Sequence, residues 1–151
     1  MQYPATGICR RPRAFANSAE KAMAFLLIPK NGESVMINAW NWRPTIVLLR
    51  DAKLIDEDLY DRMGTHGREA KVDADMAFRF ADFIDLRLRA MKPGERIRAD
   101  LTTTDTPKKQ VIFTPDTQID QIDAVDLYSA KYEWLVQFQD FCKTSGGFEV
   151  S

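Results

Sequence analysis

A chain of 151 residues with 45% hydrophobic and 28% charged side chains has the size and composition of one globular domain, which needs neither disulfide nor metal to fold. Its formal net charge of −1 excludes a global field for nucleic acid, although the charge is uneven, +3 over residues 1–22, +1 over 23–98 and −5 over 99–151. The longest apolar run, AMAFLLI at Ala22 to Ile28, is far shorter than the roughly 18 residues of a membrane helix, so no bilayer span is expected.

At the start of the chain, arginines precede a short apolar run and so imitate an export signal. Glu20 and Lys21 interrupt that pattern and no small-residue cleavage site follows, so residues 1–20 are read as a flexible tail and 21–151 as one domain. AFLLIPKNGESVMINAW then predicts a β-hairpin: a strand at Ala24 to Ile28, a turn centred on Asn31-Gly32, and a second strand from Ser34. PTIVLLRDAKL predicts a helix, and IDEDLYDRMG a shorter one closing at Gly64. VDADMAFRFADFIDLRLRAM is the clearest helix, because Met76, Phe80, Phe83, Ile84, Leu88 and Met91 recur at spacings of three or four.

Beyond Lys92-Pro93-Gly94, RIRADLTT and KQVIFT have the length and β-branched content of strands. A last helix is predicted over Ser129 to Ser145 with Tyr132, Leu135, Phe138, Phe141 and Cys142 inward, stopped by Gly146-Gly147 before a short FEV strand. The order ββαααββαβ defines an α+β domain, an antiparallel hairpin and further short strands packed on three to four helices.

Within NAWNWRP, Asn41 is read as the N-cap, accepting from the Arg43 amide, with Pro44 in the first turn and Trp40 stapling onto the helix. The functional alternative places Trp42 and Arg43 on the surface as a stacking pair, since tryptophan and arginine dominate binding hot spots. His66, between glycines in MGTHGRE, is the only histidine, which removes most metal sites but leaves a candidate base. The two cysteines, Cys9 and Cys142, lack the dense spacing of a disulfide scaffold, so a reducing cytoplasm is the expectation, and Cys142 reads as a core thiol. Glycine-rich phosphate loops, dinucleotide fingerprints and a nucleophile elbow are absent from the sequence, so no cofactor is expected.

DTQIDQIDAVDLY sets Asp120, Asp123 and Asp126 three residues apart, with Asp116 just before them and Tyr128 just after. This spacing keeps the carboxylates on neighbouring faces of a helical backbone, either as a solvated edge or as an acidic docking surface. Together INAWNWRPTIVLLR and YEWLVQFQDFCKTSGGFEV resemble a group of small uncharacterised bacterial proteins. That resemblance carries no established activity; by analogy of size and class it implies an immunity-like or accessory role.

These features favour a non-catalytic binding protein whose acidic C-terminal surface meets a basic protein, with aromatic support from Tyr128 or Trp42. The alternative is a small enzyme with a pocket around His66 and Arg43 for a small acidic substrate. Nucleic acid is not expected as a partner, because the basic RRPR and Lys108-Lys109 stretches are short and far apart.

Overall fold

The computed structural model of the protein describes residues 24–107 and 124–151. Five helices and two antiparallel sheets of seven strands in all make up these residues, an α+β fold as expected. Strands β1 (Ala24–Pro29) and β2 (Val35–Asn38) form the anticipated hairpin, pairing Phe25 with Ile37 and Leu27 with Val35. Gly32 turns it at φ +96°, a conformation that side chains resist.

Helix α1 (Ala39–Asp51) is capped three residues earlier than expected, because Asn38, not Asn41, closes its N-terminus by accepting the Asn41 N–H at 3.0 Å. Pro44 therefore lies in the second turn, not the first. The earlier start frees the Asn41 side chain to accept the Lys131 N–H, 90 positions away. Asn38→Ala should cost about 1 kcal/mol of stability in a denaturant titration, whereas Asn38→Asp should be nearly neutral.

Helix α2 (Glu57–Met63) is capped by Asp56 and ends at Gly64. A strand not anticipated from the sequence follows, β3 (Ala70–Asp73), with Ala70 and Val72 inward. Its four-residue alternation is too short to stand out beside α3 (Ala74–Arg89), whose periodic stripe had absorbed Val72 and Asp73. The expected stripe is buried on α3 at Phe80, Ile84 and Leu88, with Met76 and Phe83 packed at its margin.

A second sheet is built from β4 (Arg96–Arg98), β5 (Thr103–Thr104) and β6 (Ser129–Lys131), in the order β5-β4-β6. Short α4 (Ala124–Leu127) precedes β6, and α5 (Tyr132–Thr144) follows it. Residues 129–131 thus pair as strand where the sequence suggested the opening of a helix. The expected KQVIFT strand, the N-terminal tail and Cys9 lie outside the described residues.

The closing strand β7 (Gly147–Val150) enters between β1 and β3, so the larger sheet runs β2-β1-β7-β3. Gly147, at φ +104°, crosses so close to β3 that a Cβ there would sit 2.8 Å from the Val72 carbonyl. The inward rows Leu27-Val150-Ala70 and Pro29-Phe148-Val72 back onto the helices. Phe148 is ringed by Phe80, Phe138 and Phe141 at centroid distances of 6.4, 6.2 and 5.2 Å, a spacing typical of edge-to-face aromatic packing.

Candidate functional site

NAWNWRP is a joint built into the core. Trp42 is 0% exposed, its Nε1 donates to the Met63 carbonyl at 2.8 Å, and its ring meets Trp134 and Phe138 edge-on. The alternative that set Trp42 beside Arg43 on the surface is overturned for Trp42, whose apolar ring and single donor are both satisfied inside. Behind it, Trp134 Nε1 donates to Thr45 Oγ1, whose hydroxyl donates to the Asn41 carbonyl. The half-buried tryptophan is Trp40, packed at 4.5 Å against Tyr128, so Tyr128 supports the joint between α1 and β6.

Arg43 stays exposed, and the fold brings it to His66. Both lie on Phe25 of β1: the imidazole stacks on the phenyl ring at 4.1 Å and 17°, and the guanidinium carbon stands 5.7 Å from the same centroid. His66 Nε2 is also 2.5 Å from the Ala24 carbonyl, a contact that requires the proton on Nε2 and leaves Nδ1 as the open nitrogen. Gly64 lies close beneath: a Cβ there would press on Ile46 at 3.1 Å and touch an Arg43 terminal nitrogen at an ordinary 3.6 Å. An imidazole and a guanidinium thus cap one buried ring.

The aspartate track is reached through Asp126 alone, because Asp116, Asp120 and Asp123 lie outside the described residues. Asp126 faces inward: its Oδ1 accepts from Arg96 at 2.8 Å and stands 3.4 Å from Arg98 Nε. Arg96 is 3% exposed and spends its fork on four oxygens, donating also to the carbonyls of Thr106 and Asp126 and to Ser129 Oγ. Asp126 is thereby corrected from a docking carboxylate to the partner of a buried cation. The same guanidinium grips the chain at Thr106 and again at Asp126, on either side of residues 107–125.

Cys142 is 1% exposed on the inner face of α5, and burial pushes its thiol far above the usual range, which leaves it protonated and unreactive. An open groove of about 500 Å³ lies where β1, β3 and β7 meet α3, lined by Ile28, Lys30, Lys71, Asp73 and Glu149 among others. Asp73 is already committed there, accepting the Met76 N–H as the cap of α3. Among the described residues no three His, Cys, Asp or Glu side chains are grouped to hold a metal ion, and no helix is long and apolar enough to cross a membrane.

Comparison with protein-family models, curated proteins and solved structures gives no match at any of the three levels. The Arg96 clasp was missed in the sequence because RIR reads as an amphipathic strand; the only available signal was its two arginines in a short β-branched run ahead of an aspartate-rich stretch.

Proposed function

We propose that the protein is a non-catalytic binding protein, immunity-like or accessory in role, that meets a basic protein partner through the acidic segment carrying Asp116, Asp120 and Asp123. The observation that supports this reading is the Arg96 clasp. A buried arginine with four oxygen partners is costly to desolvate, and here it ties together the two points between which the acidic segment is strung. Carboxylates four and three residues apart would speed encounter with a basic surface, and they would do so in a salt-dependent way.

The test is capture from native lysate with the wild type and with Asp116→Asn/Asp120→Asn/Asp123→Asn, leaving Asp126 intact because Arg96 needs it. A basic protein retained stoichiometrically at low salt, released at high salt and lost with the triple variant is the expected result. Equal retention by the triple variant would remove the acidic segment from the interface.

A second reading is favoured by the convergence of Arg43 and His66 on Phe25, which suits a small phosphorylated or carboxylate ligand. Titration with inorganic phosphate and with citrate, followed by the His66 ring protons in NMR, should move those signals in the wild type and leave them still in Arg43→Gln. Signals unmoved at millimolar ligand would end that reading.

A further inference from the structure

The turn between β1 and β2 brings together a carboxamide and a backbone nitrogen that can react with each other. Asn31 and Gly32 are both exposed in it. The chain is pinned just before them, where the Lys30 and Asn31 N–H groups donate to the Gly147 and Ser145 carbonyls at 2.9 and 2.8 Å. Beyond that point the pinning stops: among the described residues the Gly32 N–H has no acceptor and the Asn31 carboxamide no hydrogen-bond partner. Gly32, at φ +96°, adds no side chain of its own, and nothing lies within 4 Å of the position its Cβ would take.

The other two asparagines among the described residues are held away from this chemistry. Asn38 accepts the Asn41 N–H at 3.0 Å, and Asn41, 8% exposed, donates to Asn38 and accepts the Lys131 N–H. The residues that follow them, Ala39 and Trp42, carry side chains and lie within α1.

We propose that Asn31 is a self-modification site, at which the chain converts its own side-chain amide into a carboxylate. A base removes the Gly32 amide proton, and the freed nitrogen attacks Cγ of Asn31. The new Cγ–N bond closes a five-membered imide as the Cγ–Nδ2 bond breaks, and Nδ2 takes up a proton and leaves as ammonia. Water then opens the imide. Attack at Cγ leaves an aspartate in the ordinary chain; attack at the Asn31 backbone carbonyl leaves an isoaspartate, whose chain runs through Cβ and Cγ and is longer by one carbon. One water is consumed and one ammonia released, with no change of oxidation state. Either product adds one negative charge to the turn. It falls beside Gly146, where a Cβ would stand 2.5 Å from Asn31 Nδ2, and both Lys30 and Gly146 line the groove at the end of the larger sheet. Aged copies of the chain therefore differ from new ones in the charge at the rim of that groove.

The test is incubation of the folded full chain at pH 7 and at pH 9, with a parallel sample in guanidinium chloride, followed by proteolysis and mass spectrometry of each asparagine. Asn31 should convert to a mixture of aspartate and isoaspartate, and faster at pH 9, since the deprotonated nitrogen is what attacks. Its native rate should stay within about a hundredfold of the denatured one, because a site that reacts only through global unfolding is slowed about a thousandfold or more. That greater slowing is expected of Asn38 and Asn41. Hydroxylamine, which intercepts the imide, should split the native chain into residues 1–31 and 32–151. Asn31→Gln, which would have to close a larger ring, should lose both the charge change and the cleavage while keeping the wild-type circular dichroism. A native Asn31 slowed beyond about a hundredfold overturns the proposal. So does conversion to aspartate alone without hydroxylamine cleavage, which would mean direct hydrolysis of the amide, and so does equal native conversion at Asn38 or Asn41.

Discussion

Trp42→Ala is expected to destabilise the protein by about 3 to 5 kcal/mol, enough to unfold most of the chain at moderate temperature. The ring fills the space between α1, α5 and β1, touching Trp134 and Phe138 edge-on and lying 6.4 Å from Phe25. Its removal opens a cavity and also orphans the Met63 carbonyl at the end of α2, a buried acceptor whose loss adds about 1 to 3 kcal/mol where water cannot reach it. Trp42→Phe separates the two effects, since it keeps most of the apolar volume and loses the donor. Urea denaturation followed by far-ultraviolet circular dichroism should place Trp42→Phe well between wild type and Trp42→Ala. A stability loss below about 1 kcal/mol for Trp42→Ala would contradict the central placement of this side chain.

Asp126→Ala is expected to cost on the order of 3 to 5 kcal/mol, because it leaves the Arg96 guanidinium buried without its anion. The loss should exceed that of Arg96→Met, which removes the charge that must be desolvated and replaces it with a flexible apolar chain; the Asp126 carboxylate then still has Arg98 nearby. Asp126→Asn should fall lowest of the three, since an amide oxygen can still accept from Arg96. A double variant, Arg96→Met/Asp126→Leu, should recover part of the loss, as replacing both partners of a buried pair is commonly near neutral. Chemical denaturation of the four variants ranks them. Were Asp126→Ala no worse than Asp126→Asn, the ion pair would contribute little and the clasp would rest on its neutral acceptors alone.

The role the clasp gives Asp126 is not announced by the spacing of the aspartates. Asp120, Asp123 and Asp126 look equivalent along the chain, each with an apolar residue just before it. Nothing in that spacing marks the last as different. Arg96, placed by the pairing of β4 with β6, has a buried fork that reaches Asp126. Trp40 and Trp42 pose a similar problem. Both sit beside asparagines, yet on the helix that starts at Ala39 it is Trp42 that enters the core, while Trp40 meets Tyr128 at its margin.

Long periodic segments were legible because their buried faces repeat often enough to outweigh local ambiguity. The stripe of α3, the inward face of α5 and the hairpin around Asn31-Gly32 depend on residues near one another in the chain. So does the burial of Cys142. Tertiary structure alone decided the short strands β3 and β6, too brief to show a period, and the position of β7 between β1 and β3. It alone set His66 and Arg43 on Phe25 and gave Asp126 to Arg96, because those neighbours are separated by tens of residues and met only through the pairing of strands. Local order comes from the period of the side chains; the chemistry of distant pairs comes from closure of the sheets, which no window of sequence contains.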